Sequence, residues 1–141
     1  MVNKIKIYKN FNIINSHKKS IILIGNFDGI HIGHQKLFRL ASIYKNKFGL
    51  KIGIITFDPI PKMFFNPNFK NYRISNFEEK IEFLKKFNVD FVVNKKFDFQ
   101  FSKISYYDFI KKIIFKKIKP KYIFVSNNFK FGHKREGNVA S

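Results

Sequence analysis

The stretch ILIGNFDGIHIGHQKLF, residues 22–38, sets two histidines, His31 and His34, among three glycines, Gly25, Gly29 and Gly33, where an apolar run gives way to an amphipathic one. Residues 20–24 (SIILI) are mostly apolar and β-branched, so they read as a buried strand ending at Gly25. Leu37, Leu40, Ala41, Tyr44 and Phe48 then recur at helical spacing, with Gly49 placed to end the helix. The segment is strand, turn, helix. A helix N-terminus presents unpaired N–H groups and a partial positive charge, and glycines let a ligand approach them closely. Imidazoles three residues apart can face one anion there, donating hydrogen bonds to phosphate oxygens and stabilising charge that develops during phosphoryl transfer. Spacing alone leaves three readings open: an anion site, a tight turn whose histidines only cap the helix, and a metal held by Asp28, His31 and His34. The stretch is neither G-x-G-x-x-G nor G-x-x-x-x-G-K-[ST], so a dinucleotide fingerprint and a P-loop are excluded.

Further along, residues 51–57 (KIGIITF) form a second strand pattern, closed by Asp58-Pro59-Ile60-Pro61 because proline cannot continue a central strand. Residues 62–72 read as a loop. Ser75-Asn76-Phe77-Glu78 has the form of a capping box, and Phe77, Ile81, Leu84 and Phe87 follow as an apolar stripe, predicting a helix that starts near Asn76. Residues 90–94 (DFVVN) predict a buried strand. Ser105-Tyr106-Tyr107-Asp108 resembles another capping box, with Phe109, Ile110, Ile113 and Ile114 behind it, Pro120 ending the helix, and residues 122–125 forming one more strand. The polar, glycine-bearing remainder, residues 126–141, reads as loop, and residues 95–104 carry no recognisable chemical constellation. Strands alternating with helices predict a doubly wound parallel α/β sheet in a single domain. Ligands in that architecture bind beyond the carboxyl ends of the strands. The loops at residues 26–34, 58–67 and 126–137 all follow strands and are expected to converge there.

The chain has 141 residues, no cysteine, 28 Lys+Arg and 9 Asp+Glu, for a formal net charge of +19. Disulfides, thiolate chemistry and cysteine-ligated zinc are excluded. No run has the length of a membrane span and the N-terminal residues lack a signal-peptide pattern, so a cytoplasmic protein without a membrane partner is expected. Such charge usually points to a polyanion. Here Lys accompanies abundant Ile, Asn and Phe, the set that AT-rich codons encode, and the lysines lie scattered, so nucleic acid is not the expected main partner.

The order Gly25-Asn26-Phe27-Asp28-Gly29-Ile30-His31-Ile32-Gly33-His34 resembles the G-x-F-D-G-x-H-x-G-H signature of the HxGH nucleotidylyltransferases, and within them the FMN adenylyltransferase (FAD synthetase) domain of bacterial bifunctional riboflavin kinase/FAD synthetase. Three further segments are similar to that family's motifs. Thr56-Phe57-Asp58-Pro59 followed by Pro61 resembles T-F-D/E-P-H-P, residues 73–84 resemble R-L-T-x-x-E-E-K-I-E-L-L, and Asn128-Phe129-Lys130-Phe131-Gly132 resembles N/D-F-R-F-G.

The resemblance implies a Rossmann-like fold and transfer of AMP from ATP to FMN, giving FAD and pyrophosphate with magnesium present and no covalent enzyme intermediate. It implies that His31 and His34 are catalytic, binding the triphosphate and stabilising the transition state. Gly25, Asn26, Phe27 and Asp28 would form the floor of the ATP pocket, with Gly29 and Gly33 giving backbone access. Asn128 would contact bound ligand from the opposite loop, and Asp58, Pro59 and Pro61 would line the flavin side; no metal ligand is assigned. Two departures stand out. Ile60 occupies the place of the family's histidine between the prolines, and residue 141 comes before an I-S-S-T-x-x-R motif and before the riboflavin kinase domain. The expectation is an adenylyltransferase domain without its C-terminal end, its activity impaired by that loss, with the kinase step performed by a separate or downstream domain. Competing expectations are a different acceptor for the nucleotidyl group, or a non-catalytic basic remnant that binds nucleotides or nucleic acid.

Overall fold

The computed structural model describes residues 4–25, 27, 32–58, 77–126, 130–131 and 137–138. Five parallel strands make its sheet: β1 (Lys6–Tyr8), β2 (Ile21–Ile24), β3 (Ile52–Asp58), β4 (Phe91–Lys96) and β5 (Tyr122–Val125). Their spatial order is β1-β4-β3-β2-β5. From β2 the chain steps outward through β3 to β4, then returns to lay β5 on the other side of β2. Reversing direction in a parallel sheet sends successive crossovers to opposite faces. Accordingly α1 (Ile32–Phe48) and α2 (Phe77–Lys85), which link β2 to β3 and β3 to β4, share one face. The helical segment between β4 and β5 covers the other. The doubly wound α/β architecture expected from the sequence is the one observed.

Strand alternation divides the core. Ile21 and Leu23, Ile52 and Ile54, and Val92 pack with Phe38 and Ala41 of α1 and Leu84 of α2. Ile22 and Ile24, Ile55 and Phe57, and Phe91 and Val93 pack with Phe11, Phe101, Phe109, Ile114 and Ile118. Each such side chain contributes about 1.5–3 kcal/mol on full burial, so neither face can be left open. Gly53 lies where a side chain would overlap the Phe91 ring, so its lack of one admits Phe91. Gly49 ends α1 with φ +65° and donates its N–H to the Lys45 carbonyl at 2.8 Å, as its position suggested.

Several elements depart from the expectation. Strand β1 and the 3₁₀ turn Asn15–His17 were not foreseen, because three residues, Lys6–Tyr8, of which Lys6 and Ile7 are exposed, make no alternating pattern long enough to read. A short helix α3 (Phe99–Ser102) lies within the segment expected as loop, started by Asp98, whose carboxylate accepts the Phe101 N–H at 2.8 Å. The predicted cap at Ser105 is present, its Oγ accepting the Asp108 N–H at 3.0 Å. The helix α4 (Tyr106–Asp108) that it starts continues as a π-helix, Phe109–Ile118, closed by Lys119 N–H to Ile114 carbonyl at 2.8 Å. Fully buried Phe109 and fully buried Ile114 lie five positions apart, a spacing that i→i+5 pairing accommodates. The C-terminal stretch expected as loop contains a two-stranded antiparallel pair, β6 (Lys130–Phe131) and β7 (Gly137–Asn138). The cap predicted at Ser75-Asn76 and the loop at residues 62–72 lie outside the described residues.

Candidate nucleotide site at the strand switch point

The sheet changes direction between β2 and β5, and in open parallel α/β sheets that is where a crevice opens beyond the strand ends. Gly25 follows β2 and Ser126 follows β5. Gly25 N–H donates to the Ile55 carbonyl at 3.1 Å, and Ser126 N–H donates to the Ile24 carbonyl at 2.9 Å. A Cβ added to Gly25 would stand 2.7 Å from Ser126 Cβ and 3.0 Å from the Phe27 ring. Only glycine lets the two strand ends and the Phe27 ring meet here.

Helix α1 begins seven residues after Gly25, so Gly33 and His34 lie in its first turn. Its N-terminal partial positive charge is therefore held at the carboxyl end of the sheet. Strand alternation puts Ile21 and Leu23 of β2 with Gly25 beyond it, Ile52, Ile54, Thr56 and Asp58 of β3, and Tyr122 and Phe124 of β5 with Ser126 beyond it on the face that α1 covers. Asp58 is half-buried at the end of β3, paired in register with Lys96, and its carbonyl accepts the Phe97 N–H at 3.1 Å. Beneath it, Phe57 packs with Phe97, Phe101 and Phe109 at centroid distances of 5.6–6.1 Å, fixing the strand end.

Of the sequence-predicted site residues, Gly25, Phe27 and Asp58, with the backbone of Gly33 and His34, share this end of the sheet. Asn26, Asp28, Gly29, His31, Pro59, Pro61 and Asn128 lie outside the described residues, as does Ile60. Ser126 was not singled out: alternation counted from Tyr122 gives its face of the sheet, but its meeting with Gly25 depends on β5 lying beside β2. No group of three His, Asp or Glu that could hold a metal occurs among the described residues.

A concavity of about 720 Å³ lies between α2 and the β1 edge, lined by Ile7, Phe77, Phe83, three glutamates (Glu78, Glu79 and Glu82) and Lys86. It lies at the β1 edge of the sheet, whereas the switch point lies between β2 and β5. His17 is likewise remote. Its ring stacks on Phe91 at 4.4 Å and its Nδ1 shares a 2.7 Å hydrogen bond with the Tyr8 hydroxyl, which also accepts the Ile14 N–H at 3.3 Å. Burial, with Lys51 and Lys6 nearby, holds this histidine below its ordinary value of 6.5, Asp90 opposing.

Comparison with known proteins agrees with this geometry. The family model described as FAD synthetase matches residues 13–141. A Buchnera aphidicola bifunctional riboflavin kinase/FMN adenylyltransferase is 39% identical over 128 residues, covering 91% of this chain and 41% of that protein. The Escherichia coli K12 protein of the same description is 31% identical over 118 residues, 84% of this chain and 38% of that one. The chain thus spans about two fifths of the length of these curated relatives. A crystal structure of a Streptococcus pneumoniae chain described as a macrolide-efflux protein superimposes with a TM-score of 0.76 at 30% identity, covering 92% of this chain and 43% of that one. Among the described residues no helix is long and apolar enough to cross a membrane. The family match takes in the strand-to-helix turn, the switch point and everything from β2 to β7, and the chain belongs to the FAD synthetase family.

Proposed function

We propose that this chain is an FMN adenylyltransferase, a cytoplasmic enzyme that moves the AMP unit of ATP onto FMN. The observation that carries the reading is the family match over residues 13–141, which contains the sequence G-N-F-D-G-I-H-I-G-H running from the end of β2 into α1. A phosphate oxygen of FMN attacks the α-phosphorus of ATP, the bond from that phosphorus to the bridging oxygen breaks, and pyrophosphate leaves. No group on the protein has to become covalently attached. The protein's part is to align attacking and leaving oxygens and to neutralise developing charge.

The roles are those the family's motifs imply for the matching residues. Gly25, Asn26, Phe27 and Asp28 form the floor on which the nucleotide lies, and Gly29 and Gly33 give it backbone access. His31 and His34 donate to the triphosphate and take up charge as the bond to pyrophosphate breaks. Asp58, Pro59 and Pro61 bound the flavin side, and Asn128 reaches bound ligand from beyond β5. Magnesium enters with the triphosphate, since this hard cation keeps oxygen ligands from phosphate and water. The relatives' double name supports a source of FMN as well: a riboflavin kinase on a different domain or chain supplies the acceptor.

The test is direct. Purified chain, ATP, magnesium and FMN are expected to yield FAD on chromatography, and His31→Ala or His34→Ala is expected to lower kcat by about 10²–10³. Absence of FAD from folded protein, or full activity in both variants, overturns the reading.

A further inference from the structure

Four described residues other than glycine have a left-handed backbone: Lys19, Phe27, Asn88 and Lys119. Three of them are exposed residues of surface turns, where the conformation costs little. Phe27 is different. Its φ is +49°, in a bulky aromatic residue for which this region is strained, and its side chain is 1% exposed. The ring lies 5.4 Å from that of Phe38, inside α1, and Phe38 in turn stacks on Phe87, just beyond α2, at 4.9 Å. The same ring reaches the space above Gly25.

We propose that Phe27 is a positioning residue, whose core-anchored ring holds its own left-handed backbone just beyond β2 and thereby fixes the start of α1 against the end of β2. A glycine or asparagine would adopt this backbone more readily. The sequence instead spends a buried phenylalanine on it, which accounts for a strained aromatic at this place: the anchor matters more than conformational ease. A ring held by Phe38 links the end of β2 directly to the second turn of α1, so the helix N-terminus cannot shift relative to the strand without unseating it. Misplacement of a catalytic group by about 1 Å can cost about 10²-fold in rate. This role rests on the adenylyl-transfer reading for its catalytic consequence, though not for its structural one.

The experiment compares Phe27→Gly, Phe27→Leu and Leu84→Ala. Leu84 is fully buried on the same sheet face but belongs to α2, away from the turn, so its truncation controls for general loss of core. Below the melting transition of every variant, Phe27→Gly is expected to lose about 10- to 100-fold in kcat with the KM for FMN little changed. Phe27→Leu, which keeps an apolar anchor, recovers most of that loss, and Leu84→Ala keeps kcat near the parent value. Hydrogen exchange of the unliganded proteins is read alongside: amides in the first two turns of α1 are expected to exchange faster in Phe27→Gly than in Leu84→Ala. Equal exchange in those two variants, or parent-like kcat in Phe27→Gly, overturns the proposal. If the parent chain makes no FAD, the proposed function falls, and the exchange comparison still decides whether Phe27 anchors the turn.

Discussion

Gly25 and Ser126 face each other across the β2–β5 switch point so closely that a methyl group on Gly25 would stand 2.7 Å from Ser126 Cβ. The two residues fix how closely the ends of β2 and β5 approach. Gly25→Ala is therefore expected to destabilise the fold by about 1–3 kcal/mol, as overpacking does, and to weaken ATP binding. Ser126→Gly, combined with it, should restore part of both losses. Denaturant melts and ATP titration of the two single variants and the double variant measure the coupling.

A similar argument at Gly53 predicts a larger effect with no direct consequence for the site. Its missing side chain leaves room for Phe91, which also supports the stacked His17 ring. Gly53→Ala should cost about 3 kcal/mol or more and loosen the N-terminal segment. Thermal unfolding, with limited proteolysis ahead of residue 20, checks both parts.

His17 gives the stability a pH dependence of known sign. Its imidazole is held below the ordinary 6.5 chiefly by burial, so the unfolded chain takes up a proton there more readily than the folded one. The stabilising contribution is complete above 6.5 and is lost as pH falls from there through the folded value. Melting temperature is expected to drop between about pH 7 and pH 5, and His17→Gln should flatten that part of the profile. An unchanged slope in the variant contradicts the assignment.

The turn before β4 offers an ordered pair of losses. Asp90 accepts the Ile52 N–H at 2.8 Å and pairs with Lys45 at 2.9 Å, and the Lys45 ammonium also donates to the Asn88 carbonyl at 2.8 Å. Removing the carboxylate orphans the N–H of buried Ile52, whereas removing the partly exposed ammonium leaves Asp90 bonded. Asp90→Ala should cost about 1–3 kcal/mol and Lys45→Ala about 1 kcal/mol or less, measured by denaturant unfolding.

What the residue pattern revealed followed from its length and regularity. Leu37, Ala41 and Tyr44 recur over a 17-residue helix, and the apolar runs at residues 21–24 and 52–57 are buried on both sides, so α1, β2 and β3 were readable with their order. Lys6–Tyr8 is too short for periodicity and is held by pairing with β4, a contact 85 residues away in sequence. The π-helix was hidden because Phe109, Ile110, Ile113 and Ile114 fit α-helical spacing locally, and only burial of Phe109 with Ile114 and Ile118 distinguishes the wider turn. At the site, the glycines and histidines of residues 25–34 offered an anion-binding turn as one of three readings, and Asn26 and residues 28–31 lie outside the described residues. Ser126 and the anchoring of Phe27 depend on which strands end side by side, and no local pattern encodes strand order.

Transfer of label from ATP tests the account at its centre. With FMN, magnesium and the purified chain, ATP labelled at the α-phosphate is expected to give labelled FAD, while ATP labelled at the γ-phosphate gives label only in pyrophosphate. Label from the γ-phosphate in flavin, or no α-label in flavin from folded protein, would contradict it.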